Sequence, residues 1–257
     1  MRSGARARVG AAAVTAALLP ALLVACGGGS DKSSPAGSAT DTFPQASEPA
    51  NLNPANFTTQ IDNPYWPMPV GATWHVHVSN PQGESLRETI TVTDRTKRIA
   101  DGVTARVVRD VVYDHGRPRE ITDDWYAQDK DGNIWYFGEN TTSIDLETGK
   151  RDSSGSFEAG ARGADAGIAM PAHPYAGQTY REEYYVGHAE DRSRVLALNQ
   201  QAEVPFGHFG DMLLTEDYTP IEPDVLELKF YAKGIGQVLA QTVSGGNERE
   251  ELISFKR

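Results

Sequence analysis

Asp123-Asp124-Trp125-Tyr126-Ala127-Gln128-Asp129-Lys130-Asp131-Gly132-Asn133-Ile134-Trp135-Tyr136-Phe137-Gly138-Glu139 decides the fold. Two aromatic-rich runs flank an Asp-Gly centre. Glycine accepts the positive φ of a tight hairpin turn, and Trp, Tyr and Phe suit a pleated, half-buried surface. The stretch therefore predicts a central β-hairpin. Outward from it the pattern repeats. Trp74, Val76 and Val78 alternate with His75 and His77, and Leu86, Glu88, Ile90 and Val92 alternate with Arg87, Thr89, Thr91 and Thr93. Period two with one apolar face is the signature of a half-buried strand. Val103, Ala105, Val107, Val111 and Tyr113 read as the apolar face of a further long strand, with Arg109 among them. More strands are expected at about 121–128, 133–137, 179–186, 192–199, 211–217, 225–232, 235–243 and 248–255, plus a short one near Phe157. The rest of 140–167, rich in Gly, Ser, Thr and Asp, reads as loop. The expected fold is all-β: an antiparallel meander of about ten strands forming a strongly curved sheet or open barrel.

The chain has 257 residues and a formal net charge of -11. Its first 25 residues hold a basic start (Arg2, Arg6, Arg8), no acids and an apolar run, the layout of a signal peptide. Their removal takes the charge to -14, which repels phosphate backbones and excludes nucleic acid as the expected partner. Leu23-Val24-Ala25-Cys26 resembles the bacterial lipobox. That resemblance implies cleavage before Cys26, diacylation of its sulfur, and an extracytoplasmic domain anchored to a bacterial membrane. Cys26 is the sole cysteine, so no internal disulfide and no thiolate metal site can form. Residues 26–56, rich in Gly, Ser, Ala and Pro, read as a flexible tether, and 57–257 as the all-β domain.

Asn63-Pro64-Tyr65-Trp66-Pro67 with Gly71-Ala72-Thr73-Trp74, Trp125-Tyr126-Ala127-Gln128-Asp129, Val204-Pro205-Phe206-Gly207 and Tyr231-Ala232-Lys233-Gly234-Ile235-Gly236 resemble strings in uncharacterised bacterial secreted and lipoprotein β-domains. Their layout is similar to the curved open barrels of the Lol-type periplasmic lipoprotein carriers. The resemblance implies a fold and a location and carries no catalytic residues.

Catalytic motifs are not legible: there is no Gly-x-Ser-x-Gly elbow, and the one thiol belongs to the lipidation motif. Asp129, Asp131 and Asn133 alternate oxygens as a Ca²⁺ loop would, yet the spacing to Gly132 departs from the EF-hand pattern, so the stretch reads first as a hairpin turn and second as a cation site. His75 and His77 share a strand face at a spacing that can chelate a transition metal, without a nearby third ligand. Arg109, on an apolar face, needs a carboxylate partner or holds an anionic ligand at a cavity. The doublets Asp123/Asp124, Glu182/Glu183 and Glu250/Glu251 read as solvated surface, because neighbours on a strand face opposite ways. The aromatic side chains exceed what one thin face needs, so a curved sheet could enclose an apolar ligand.

The expected function is a membrane-anchored extracytoplasmic binding module for an apolar or amphipathic, lipid-like ligand or an envelope protein. A secreted metal-dependent hydrolase built on His75 and His77, and a Ca²⁺-stabilised structural domain, are the alternatives.

Overall fold

The computed structural model describes residues 43–257. The expected signal segment and Cys26 lie outside the described residues. After a short 3₁₀ turn, Pro54–Asn56, the chain forms β1 (Phe57–Thr58), β2 (Thr73–Ser79), β3 (Ser85–Arg98), β4 (Thr104–Asp114), β5 (Arg117–Asp129) and β6 (Ile134–Ile144). Short strands β7 (Arg151–Asp152), β8 (Phe157–Glu158), β9 (Asp165–Met170), β10 (Thr179–Arg181) and β11 (Glu183–Tyr184) follow. Long strands return as β12 (Arg192–Val204), β13 (Gly207–Tyr218), β14 (Leu226–Ala232), β15 (Gly236–Ser244) and β16 (Arg249–Lys256). The all-β antiparallel meander is as expected, with sixteen strands rather than about ten.

Sequence neighbours pair along nearly the whole ring, and the last strand returns to the second, with Leu252 opposite Val76. The sheet's two ends are β10, paired with β12, and β11, paired with β9. These are the two halves of one segment, 179–184, so the sheet is carried round into a nearly closed barrel. The seam is tight. A Cβ on Gly167 of β9 would fall 2.4 Å from the Glu182 carbonyl, so only glycine fits there. Asp165, Ala166, Gly167 and Ala169 in this strand give a weak strand signal.

Residues 43–50, part of the stretch read from sequence as tether, lie against this seam. Phe43 is buried edge-on to Tyr180, with ring centroids 6.1 Å apart. The Arg181 backbone N–H donates to Pro44 O (2.8 Å), and its guanidinium donates to the carbonyls of Ala46 (2.5 Å) and Glu48 (2.6 Å).

One end of the barrel is stoppered by the Asn63-Pro64-Tyr65-Trp66-Pro67 loop. Asn63, 1% exposed, accepts from the N–H groups of Tyr65 and Trp66 and donates to the carbonyls of Gly132 and Pro171. Gln128 on β5 accepts from the Asp62 and Asn63 N–H groups. Trp74 closes the same end, its indole N–H donating to Ile235 O at 2.8 Å. Each such aromatic side chain, largely removed from water, contributes on the order of 2–3 kcal/mol.

The outer wall is polar. His75, Arg109, Asp123 and the Arg194–Glu216 ion pair sit along it. No helix among the described residues is long and apolar enough to cross a membrane.

Candidate functional site

Strand alternation and register decide what faces the barrel interior. On β3, Glu88 sits opposite Val76 and Val112; on β4, Asp110 sits opposite Ile90 and Thr122; on β5, Asp124 sits opposite Val108 and Glu139. On the far side Glu250 of β16 lies opposite Val78 and Ala240, and Ala240 lies opposite Lys229. The inward residues enclose a cavity of about 840 Å³, which runs from a mouth near Asp114, Ser143 and Lys150 down to Trp66. A smaller recess of about 230 Å³ continues beside it between Glu88, Asp110, Asp124 and Glu250.

The floor is aromatic. Trp66 lies 5.7 Å from Tyr126 and 5.8 Å from Tyr231, centroid to centroid, and Tyr126 lies 5.0 Å from Tyr136. The walls are acidic. Tyr136 donates towards Asp124 (2.9 Å) and Glu139 (3.1 Å), tying two carboxylates to one hydroxyl. Lys229 Nζ stands 2.7 Å from Asp217 Oδ2 and 3.4 Å from Glu227 Oε2.

Burial sets the protonation of these groups. It pushes Asp110 well above the usual carboxylate range, helped by Glu88 beside it, and pushes Glu250 up likewise, helped by Glu88 and Glu227. Asp124 is raised by burial and then by Glu139, and Glu182 by burial and then by Asp217. Burial alone would lower Lys229, but Asp217, Glu182 and Glu227 outweigh it and hold the ammonium well above its ordinary pKa. Carboxylates crowded in a low dielectric keep their protons until something positive arrives.

The residues singled out from sequence lie elsewhere. Arg109 is on the outer wall, because the inward face of β4 is Val108, Asp110 and Val112. Its Nε and Nη2 grip Asp123 at 2.6 and 2.9 Å, and Arg95 grips the same carboxylate. The two guanidinium groups outweigh burial and hold Asp123 below its usual pKa. His75 and His77 also face outward, and each meets a hydroxyl of β3: Thr89 at 3.1 Å and Ser85 at 2.9 Å. Asp129 caps its own hairpin. Oδ1 accepts from the N–H groups of Asp131 and Asn133, and Oδ2 accepts from Asn133 Nδ2 and Trp135 Nε1. Asn133 Oδ1 accepts from Ala172 N–H, and Asp131 is exposed. The structure thus does not bring His75, His77, Asp129, Asp131 and Arg109 together.

The cavity acids escaped notice although a signal was present. Glu88 shares its strand face with Leu86, Ile90 and Val92, an acid in an apolar row. Of the doublets read as surface, Asp124, Glu182, Glu183 and Glu250 line the interior.

No family model matches the chain, and no curated protein matches it. Among solved structures, the chain is similar to a protein from Parabacteroides distasonis provisionally described as a lipoprotein. The two share 12% identity with a TM-score of 0.43, over 77% of this chain and all of the other. At that distance the likeness assigns no role, and it lends no support to a Lol-type carrier.

Proposed function

We propose that the chain is a binding module, held outside the cell membrane through lipidated Cys26, that takes a small, partly apolar ligand into its barrel. The observation that carries this reading is the cavity: about 840 Å³, open at one end, stoppered at the other, and floored by Trp66, Tyr126 and Tyr231. Cavities that hold small ligands span about 300–1,000 Å³ and combine apolar walls with a few polar groups. A folded core would fill such a space with side chains. The Leu23-Val24-Ala25-Cys26 motif supports the anchor.

The test uses the whole secreted chain carrying Cys26→Ser, which removes the lipidation site and the need for detergent. Three eight-carbon probes are offered: octyltrimethylammonium, 1-octanol and octanoate. At least one raises the melting temperature and shifts tryptophan emission with 1:1 saturation, and Ser143→Trp, which narrows the mouth, abolishes the effect without unfolding the chain. If no probe of any charge gives a saturable response, the binding reading is wrong.

A further inference from the structure

We infer that the cavity selects a positively charged amphipathic ligand, an organic ammonium whose head is held among carboxylates and over aromatic rings; the inference rests on the binding reading above and sharpens it. Three independent features point this way.

The first is the imbalance of charge. On one wall stand Glu88, Asp110, Glu120, Asp124 and Glu139. The opposite wall adds Glu182, Glu183, Glu227 and Glu250, with Asp217 behind them on Lys229. Against these the interior sets Lys229, already engaged by Asp217 and Glu227. At the rim, Arg119 is paired with Glu84 at 2.5 Å, and Lys150 and His188 share the lining with Asp114, Asp145, Glu147, Asp152 and Asp191. A cation entering meets many carboxyl groups able to give up a proton to it, whereas an anion meets a lysine already engaged.

The second feature is the floor. Trp66 lies within 6 Å, centroid to centroid, of both Tyr126 and Tyr231, its ring tilted against theirs by 57° and 52°, and aromatic ring faces attract cations, most strongly away from water. The third is unmet polarity. Asp110, which lines the recess, has an Oδ1 without a hydrogen-bond partner. Buried polar atoms are nearly always satisfied, so this one marks a place where a ligand group completes the set.

A cation entering this space displaces protons from the carboxylates that receive it. The charge balances: one ammonium in, one proton out to solvent from the carboxyl that receives it, with Asp110, Asp124 and Glu250, all raised by burial, the candidates. Affinity therefore rises with pH. Tyr126, Tyr136 and Tyr231, which face the same space, stay neutral throughout because burial raises them well above their ordinary values.

The experiment is calorimetric titration of the same Cys26→Ser chain with the three probes at pH 5 and pH 8. The expected result is octyltrimethylammonium binding about tenfold or more tightly than 1-octanol at pH 8, with octanoate weakest. Its affinity falls at least severalfold at pH 5, and its apparent enthalpy changes with the buffer's ionisation enthalpy as protons are released. Because the probe's own charge is fixed, the pH effect belongs to the protein. Asp110→Asn with Glu250→Gln flattens the pH dependence. These neutral replacements mimic the protonated acids, so the variant folds, and circular dichroism checks that it does. Asp131→Asn, on an exposed turn, changes nothing. Equal or tighter binding of octanol or octanoate overturns the cation inference and leaves the cavity reading intact. Binding by none of the three overturns both.

Discussion

The indole of Trp66 lies directly on Gly236: a Cβ at that glycine would come within 2.5 Å of Trp66 Cδ1. Gly236 also holds φ at +109°, a conformation that side chains resist. Gly236→Ala should therefore cost about 2–4 kcal/mol in urea unfolding, strain and displaced indole together, and shift tryptophan emission. Gly116→Ala is the control. Its φ is +77° but nothing lies within 4 Å, so about 1 kcal/mol is expected. Equal costs at the two sites would mean that the floor of the cavity does not depend on this contact.

Arg181 is 1% exposed and donates to the carbonyls of Ala46, Glu48 and Ala166, with Asp165 3.3 Å away. Arg181→Met leaves those carbonyls without donors and should destabilise by about 3 kcal/mol or more. Limited proteolysis should then cut within 43–50 faster than in the native chain. An unchanged cleavage pattern would show that this segment is held by something other than Arg181.

Asp129 and Asp131 separate a capping carboxylate from a solvated one. Asp129→Ala strands four N–H donors and should cost about 2–3 kcal/mol, whereas Asp131→Ala should fall within about 0.5 kcal/mol of native. Thermal melts distinguish the two, and similar values would remove the special role of Asp129 in the turn.

Stability should fall as pH rises through the weakly acid range. Glu88, Asp110, Asp124, Glu182, Glu227 and Glu250 all have folded pKa values above the ordinary ones, chiefly through burial. Between the unfolded value of about 4 and the raised folded value, the folded chain binds more protons than the unfolded chain, so ΔG of unfolding decreases with pH. Glu248, pushed up to about 7 by burial and Glu84, extends that window to neutrality. Asp123, lowered by Arg95 and Arg109, opposes the trend only below about pH 4. The melting temperature should be higher at pH 5 than at pH 8, with a shallower slope in Asp110→Asn. A flat or rising profile would contradict the buried, protonated state of these acids.

The long strands were legible because one face of each is apolar and the other polar: Trp74, Val76 and Val78 against His75 and His77 is enough. Strand β4 was misfaced. Val107 and Val111 outside match Val108 and Val112 inside, so periodicity could not choose between them, and Arg109 went to the wrong side. The seam was illegible for a different reason. Gly167 is chosen by the passing backbone of Glu182, a contact made 15 residues away in sequence. The site was half visible. Glu88 announced an acid on a buried face, but only the register across β3, β4, β5 and β16 brings it to one space with Asp110, Asp124 and Glu250.

The strap formed by residues 43–50 has a mechanical consequence. Any pull transmitted from the amino terminus, as from a chain held at Cys26, reaches the barrel at Arg181 and the seam before it reaches a long strand. Load there is borne by a few hydrogen bonds that can detach one after another, not by a ladder sheared along its length. Under tension the strap yields first, while β2 to β6 and β12 to β16 keep their register.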